Sequence, residues 1–335
     1  MHTKTKAFCR LLTMLILAAA AGGLFCSTAA AAIVSTNHSK YSYSELKNDI
    51  EKLAETYPDY VQYSVIGKSP DNRNIYELVL GNPDAKKHLL VISNLHAREY
   101  MTIQLSMAQI ERYCRSYNKK INNTMLAKTL NKVAIHYIPS ANPDGTAISQ
   151  YGFGSIKNKG LRKSLKRMGG SSRTWKANAR GVDLNRNWAI AWRHSGHRGS
   201  AGYRGPKAAS EPEVKALVNR VNKIEKKGKI VGVVSYHSTG SILYGRCARQ
   251  ATSSVKKQTT RMYKLARKLT GYRLVPTESI SQARGCSREY FLYKRKIPCI
   301  TLETGHGSCP LSSGEFGSIW RKNKDVVIRE AMLFD

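Results

Sequence analysis

The spacing of apolar residues along the chain changes between two periods, and each period predicts one type of secondary structure. Short apolar runs rich in β-branched residues predict six buried strands, at residues 61–67, 75–80, 88–94, 133–138, 230–235 and 299–302. Apolar residues three or four positions apart predict helices that start near residue 43 and cover 103–114, 211–224, 255–269 and 316–327. Strands that alternate with helices indicate an α/β domain.

Several helix ends carry recognisable capping residues. Ser42 and Glu45 have the spacing of a capping box at the first helix. Ser210 is the expected N-cap of the helix over 211–224, and Gly271 follows the helix over 255–269 as a C′ residue. These signals support the helix boundaries independently of the apolar spacing.

The first 32 residues have the composition of a secretory signal peptide. Three cations precede an apolar run, and an alanine-rich stretch follows it. A membrane anchor is the alternative, but the strongly apolar part is short for a span. We therefore expect cleavage near residue 31 or 32, a short linker over 33–40 and one catalytic domain over 41–335. The mature protein is then secreted, with no stable membrane insertion.

Charge is the strongest feature of the composition. The chain has 55 lysines and arginines against 22 acidic residues, for a formal net charge of +33. Such a field attracts polyanions. No nucleic-acid-binding motif is apparent, so anionic cell-wall polymers are the more natural partner of an exported protein. The densest basic run, residues 157–180, is expected to be a long solvated loop.

Five cysteines follow the predicted signal peptide, and none has the CxxC spacing of a zinc site. Export permits disulfides. One or two bridges with a free thiol would account for the odd number, but the pairing cannot be read from the sequence.

Polar residues end three of the predicted strands, and together they suggest a metal site. The first strand end carries His96 and Glu99, the second carries His237, and the third carries Glu303. Active residues of α/β sheets gather where strands end and loops begin. Two imidazoles and one carboxylate form a zinc-binding set that leaves a position open for water. A further carboxylate could accept a proton from that water.

A fourth segment identifies a family resemblance. The sequence resembles the zinc carboxypeptidases of the carboxypeptidase A type over nearly all of residues 41–335. The matching motifs are "HARE", "DLNRNW", "SEPE" and "TLETG". A finer resemblance, through "WKANARGVDLNRNW", "CSREYF" and "EFGSIWRKNKDVV", is to the bacterial branch that includes γ-D-glutamyl-diaminopimelate peptidases, which cut peptidoglycan stem peptides. The resemblance implies a single domain with a mixed, twisted β-sheet flanked by helices.

The same resemblance assigns roles to individual residues. It implies that His96, Glu99 and His237 hold one Zn²⁺ ion per chain and that Glu303 transfers protons. It implies that Asn185 and Arg186 bind a substrate carboxylate. The position of the family's oxyanion-stabilising arginine is matched here by Lys176, with Arg173 and Arg180 as alternatives. The family's mobile tyrosine has no counterpart, because Ser281 stands at the matching position.

The expected substrate is a peptidoglycan stem peptide. Arg288 lies in the segment that, in the resembled family, lines the pocket for the residue after the cut bond. An arginine there should select a carboxylate, such as the second carboxylate of meso-diaminopimelate. We therefore predict cleavage of the γ-D-glutamyl–meso-diaminopimelate bond. The alternatives are a general secreted carboxypeptidase acting on peptide C-termini and a catalytically dead cell-wall binding protein.

Overall fold

The computed structural model describes residues 31–276 and 284–335. Residues 1–30 of the predicted signal peptide lie outside these ranges, and so does Ser281. In the described part, eight strands form one twisted sheet in the order β1-β2-β6-β3-β7-β10-β8-β9. The strands of this sheet are β1 (Val61–Lys68), β2 (Asn74–Leu80), β3 (Lys87–Ser93), β6 (Val133–Ile138), β7 (Lys229–Ser238), β8 (Ile242–Tyr244), β9 (Arg273–Leu274) and β10 (Cys299–Thr304). A separate hairpin pairs β4 (Lys120–Ile121) with β5 (Thr124–Met125).

The sheet is mixed, as predicted. Strands β6, β3, β7 and β10 run parallel at its centre, whereas β1 and β2 pair antiparallel with their neighbours and β8 pairs antiparallel with β10 and parallel with β9. The carboxyl ends of the four central strands therefore lie along the same edge of the sheet. Every strand predicted from the sequence is present, with ends that differ by a few residues.

Helices cover both faces of the sheet. Their bounds are α1 (Tyr43–Thr56), α2 (Met101–Arg115), α3 (Leu126–Lys132), α4 (Pro143–Tyr151), α5 (Lys159–Met168), α6 (Pro212–Glu225), α7 (Ser253–Thr270), α8 (Ser287–Glu289), α9 (Phe316–Asn323) and α10 (Val326–Met332). A π-helical turn, Tyr290–Arg295, continues α8. Short 3₁₀ turns lie at Phe153–Ser155, Leu184–Arg186 and Ser313–Glu315.

Strand β3 shows how the core is divided between the two faces. Leu89 and Val91 pack with α1, α2, α3, α7, α9 and α10, whereas Leu90 and Ile92 pack with α6 and the π-helical turn. Successive side chains of a strand point to opposite faces, so a continuous apolar run is what a strand covered on both sides requires. The fold is thus the predicted α/β domain with a mixed sheet between helices.

Two predicted helix boundaries are wrong. Glu211, not Ser210, is the N-cap of α6, and Pro212 supplies the first helical residue with its preset backbone angle. The helix predicted over 316–327 is divided into α9 and α10. Side chains of α2 bind the carbonyls at the break: Gln109 donates to Asn323 (2.8 Å) and the Tyr113 hydroxyl to Lys324 (2.8 Å).

The basic run over 157–180 was expected to be a loop, and for its first half this is wrong. Asn158 caps α5 by accepting from the Leu161 N–H at 3.0 Å. Leu165 of α5 is fully buried and packs in a cluster with Trp175 and Ile148. The cations of α5 stay on its solvent side because this apolar stripe holds the helix against the domain.

The predicted linker over 33–40 contacts the domain. The N–H groups of Ile33 and Val34 both donate to the Glu111 carboxylate of α2, at 2.9 Å each. The possible disulfides are not formed among the five described cysteines, Cys114, Cys247, Cys286, Cys299 and Cys309. Over residues 31–276 and 284–335, no helix combines the length and apolar character needed to cross a membrane.

Candidate active site

The three predicted metal ligands meet at the carboxyl edge of the central strands. His96 and Glu99 lie in the turn between β3 and α2, and His237 lies near the end of β7. The Nδ1 atom of His237 is 3.1 Å from Nδ1 of His96 and 2.8 Å from Oε2 of Glu99. One ligand atom from each residue lies within 4.8 Å of the other two, and all three side chains are buried. Because β3 and β7 are parallel neighbours in the sheet, the segments at their carboxyl ends bring together Glu99 and His237, which are 138 positions apart.

The donor set and its surroundings fit a zinc ion. Two imidazoles and a carboxylate are the ligand types that catalytic zinc takes. Burial raises the pKa of Glu99, but His96 and His237 outweigh it and hold that pKa well below its usual range, so the carboxylate is ionised. The second ring nitrogen of His96 lies 3.2 Å from Oδ1 of Asp183. A carboxylate on the far side of a histidine ligand orients the ring and raises its basicity.

Glu303 is positioned by the register of β10. It is the direct parallel partner of His237 on β7, so its side chain lies beside the metal ligands. Burial raises the pKa of Glu303 to about 7, although the neighbouring His237 lowers it. A carboxylate with a pKa near neutrality can both accept and return a proton at physiological pH.

Lys176 forms part of the wall of the same cleft. The Ala97 N–H donates to the Lys176 carbonyl at 3.0 Å, which ties the segment to the metal-binding turn. The ammonium of Lys176 lies 3.0 Å from Oδ2 of Asp183. Of the three cations considered from the sequence, Lys176 lines the cleft, whereas the exposed Arg173 and Arg180 do not. Asp183, which joins His96 to Lys176, was not singled out from the sequence, although it stands in the "DLNRNW" motif.

The Asn185–Arg186 pair lies on the 3₁₀ turn at Leu184–Arg186. Oδ1 of Asn185 accepts from the N–H and the hydroxyl of Ser287, at 2.9 and 2.8 Å. This fixes the amide so that its NH₂ group is the donor left for a ligand. The Arg186 guanidinium donates to its neighbour's carbonyl at 2.9 Å and lies 2.9 Å from Cys286 Sγ. Ser287 and Cys286 are further contacts that the sequence alone did not identify.

Gly285 allows the segment that carries Arg288 to approach this turn. The φ angle of Gly285 is 73°, in the left-handed region that favours glycine. A Cβ at this position would collide with the backbone of Arg186. Arg288 is buried in the wall of the cleft and pairs with Glu289, with 2.6 Å between Nη1 and Oε1. It also donates to the carbonyl of Arg246. Its Nε is buried without a hydrogen-bond partner among the described residues.

All eight predicted site residues except His237 line one cleft of about 550 Å³, and the buried His237 lies directly behind it, against Glu99. A larger pocket of about 950 Å³ lies between the start of α1 and the β1–β2 turn, and it contains none of the predicted site residues. Volume alone would therefore point away from the ionisable residues that can support hydrolysis.

The sequence of this chain is similar to those of known peptidases. The gamma-D-glutamyl-L-diamino acid endopeptidase 1 of Lysinibacillus sphaericus is 26% identical over 292 residues, which cover 84% of this chain and 70% of that protein. Carboxypeptidase A6 of Mus musculus is 28% identical over 283 residues, which cover 79% of this chain but only 61% of that protein.

Solved structures share the fold. The thrombin activatable fibrinolysis inhibitor superposes with a TM-score of 0.71 at 22% identity, over 92% of this chain and 78% of that chain. Carboxypeptidase A from Helicoverpa armigera superposes with a TM-score of 0.66 at 19% identity, over the same shares. The model of the zinc carboxypeptidase family matches residues 46–325. The chain therefore belongs to the zinc carboxypeptidase family and is a zinc-dependent metallopeptidase.

Proposed function

We propose that this enzyme hydrolyses peptidoglycan stem peptides at the bond between γ-D-glutamate and meso-diaminopimelate. The observation that carries the proposal is the Arg288–Glu289 pair in the wall of the cleft. The far end of the meso-diaminopimelate side chain bears an ammonium and a carboxylate on one carbon. An adjacent guanidinium and carboxylate offer opposite charges to both groups, whereas a lysine side chain presents the ammonium alone.

The other residues of the cleft take the remaining parts of such a substrate. Asn185 and Arg186 hold the first carboxylate of diaminopimelate when it is free. A longer stem has that carboxylate in an amide, so this contact would then change. Lys176 faces the developing oxyanion and keeps a positive charge there, although it lacks the planar fork of an arginine.

Glu303 carries out the proton transfers of the proposed reaction. Zinc, when bound by His96, Glu99 and His237, supplies a Lewis acid and acidifies water. Glu303 accepts the proton of the attacking water and then delivers a proton to the leaving amine. A pKa near 7 suits a group that must perform both steps.

The similarity to the Lysinibacillus sphaericus protein, a gamma-D-glutamyl-L-diamino acid endopeptidase, supports this choice of bond. A second candidate function is that of a general secreted carboxypeptidase. It is favoured by the carboxypeptidase relatives, such as the one from Mus musculus, and by the Asn185–Arg186 pair, which suits any free C-terminus.

The proposed substrate implies a location outside the cell. The composition of residues 1–32 is that of a signal peptide, and the net charge of +33 favours association with anionic cell-wall polymers. Fractionation of the host into medium, wall and cytoplasm tests this part: recovery of the full-length chain in the cytoplasm alone would contradict it.

The deciding experiment compares two matched stem peptides that end in meso-diaminopimelate or in lysine. We expect the wild type to prefer the diaminopimelate peptide by about 10- to 100-fold in kcat/KM, the range of a charge-assisted hydrogen bond. Arg288→Ala should remove the preference, and Glu289→Gln should weaken binding of both peptides.

Arg273→Ala is the control for the loss of one positive charge, because Arg273 is an exposed residue of β9 outside the cleft. Equal kcat/KM for both peptides in the wild type would contradict the pocket argument. Efficient cleavage of ordinary C-terminal peptides, with none of the stem peptides, would favour the second candidate function.

A further inference from the structure

A smaller pocket of about 320 Å³ joins the cleft on one side. The two cavities share Arg98 and Lys176, whereas Asn185, Arg186 and Arg288 line the cleft alone. The side pocket therefore opens at the wall that carries Lys176, and the residues proposed to bind diaminopimelate are not part of it. A substrate group in this pocket belongs to the amino side of the scissile bond.

Arg98 is the cation of this pocket that the protein itself does not neutralise. Among the described residues, no carboxylate lies within 4.0 Å of its guanidinium, and its Nε is buried without a hydrogen-bond partner. Its one hydrogen bond to the described part of the chain is long: Nη1 donates to the Thr174 carbonyl at 3.5 Å. Lys176, by contrast, is already paired with Asp183 at 3.0 Å. A buried donor without a partner costs free energy. A ligand that accepts a hydrogen bond from Arg98 would remove this cost and bind more tightly.

The rest of the pocket is lined by both polar and apolar residues. Its wall offers the hydroxyls of Ser171, Thr174 and Ser200, and glycines stand at positions 169, 170, 199 and 202. Its single acidic residue, Asp183, is occupied by His96 and Lys176. Met168 and Trp175 add apolar surface, and the hydroxyls beside the Arg98 guanidinium suit a short anionic group.

We propose that this side pocket binds the free α-carboxylate of the glutamyl residue on the amino side of the scissile bond, and that Arg98 determines this specificity. The inference rests on the proposed function. In a γ-linked glutamate the side-chain carboxyl forms the scissile amide, so the α-carboxylate stays free, four bonds from the reacting carbonyl. In an α-linked peptide the same carboxyl is the scissile carbonyl, and a residue with a neutral side chain then offers the pocket no anion to bind.

The arrangement of Arg98 and Lys176 matches this chemistry. The backbone hydrogen bond from Ala97 to Lys176 keeps both cations on one wall. Lys176 faces the reacting carbonyl in the proposed mechanism, and Arg98 lies beside it with a guanidinium that can grip a carboxylate through two parallel hydrogen bonds. The pocket would thus distinguish γ-glutamyl bonds from ordinary peptide bonds.

The test uses two forms of the stem peptide L-Ala-γ-D-Glu-meso-diaminopimelate. One has the free α-carboxylate on glutamate, and the other carries a carboxamide there. We expect the wild type to cleave the free acid about 10- to 100-fold more efficiently in kcat/KM. The ratio between the two peptides should fall towards one in Arg98→Met and lie between these values in Arg98→Lys, which keeps the charge but loses the fork.

Arg167→Met is the matched control, because Arg167 is an exposed arginine of α5 that lines neither cavity. It should keep the wild-type ratio, and an equal loss there would overturn the assignment to Arg98. Zinc content is measured in every variant, since Arg98 stands between two metal ligands. Equal cleavage of both peptides by the wild type would overturn this inference and leave the proposed bond intact. Cleavage of neither peptide would overturn the proposed function itself.

Discussion

Asp183 joins the metal site to the oxyanion wall, and Asp183→Asn should weaken both. The side chain is buried, with Oδ1 3.2 Å from His96 Nε2 and Oδ2 3.0 Å from the Lys176 ammonium. Asparagine has almost the same shape and still caps the turn through its oxygen, since that position accepts from the Asn185 N–H at 2.9 Å. The substitution therefore removes the negative charge with little change in packing.

The expected loss follows from the two contacts. Removing the outer carboxylate of a metal-binding histidine lowers metal affinity by about 10- to 100-fold, which corresponds to about 1.4–2.7 kcal/mol. Lys176 also loses its ion pair and its fixed position, so kcat should fall even when zinc is saturating. Zinc affinity is measured by competition with a chelator of known affinity, and kcat at saturating zinc reports the second effect separately.

Two further variants make the reasoning refutable. Asp325→Asn removes a carboxylate that pairs with Arg112 at 2.8 Å in a different part of the domain, and it should change neither quantity. In a Lys176→Met background, Asp183→Asn should keep its effect on zinc affinity and lose its further effect on kcat. Unchanged zinc affinity in Asp183→Asn would show that the carboxylate does not support His96.

The remaining predictions concern the ligands, the acid–base group, the oxyanion wall and acid stability. His96→Ala or His237→Ala should remove most of the zinc and nearly all hydrolysis, as elemental analysis and a peptide assay would reveal. Glu303→Ala should retain zinc and lose turnover; near-normal kcat would contradict its role in proton transfer. Lys176→Ala should lower kcat by about 10²–10³ with a smaller effect on KM, because the contact forms mainly in the transition state; an unchanged rate would argue against Lys176. Burial lowers the pKa of His88 to about 4 from its usual 6.5, so the unfolded chain binds the proton first, and the free energy of unfolding decreases as pH falls from 6.5 towards 4. Denaturation of the zinc-free protein at pH 7 and pH 5 should show a smaller loss in His88→Gln than in the wild type; equal losses would exclude this histidine as a source.

The sequence by itself predicted the fold class and the three residues of the candidate metal cluster, His96, Glu99 and His237. Apolar runs of strand length and helical spacing lie within single segments, so local patterns predict them well. His96, His237 and Glu303 were identifiable because each stands at the end of such a run, and central parallel strands bring those ends to one edge. The strand ends, together with the family resemblance, therefore predicted the metal cluster.

Helix boundaries were less predictable where distant residues decide them. The break between α9 and α10 depends on Gln109 and Tyr113, which bind carbonyls more than 200 positions away. Helix α5 was missed although Leu161, Leu165 and Met168 have helical spacing, because its many cations resemble a solvated loop. Packing against Trp175 makes that stripe a helix face, and packing is a tertiary property.

Only the tertiary structure decided how charges are paired within the site. Asp183 reaches His96 across 87 positions, and Arg288 uses its own neighbour Glu289 as a partner in the wall of the cleft. Within residues 31–276 and 284–335, Arg98 has no carboxylate partner although it stands next to Glu99 in sequence, because Glu99 turns towards the two histidines. Ion pairing depends on distances of a few ångströms between side chains, and those distances are set by the packing of the whole domain rather than by the order of residues.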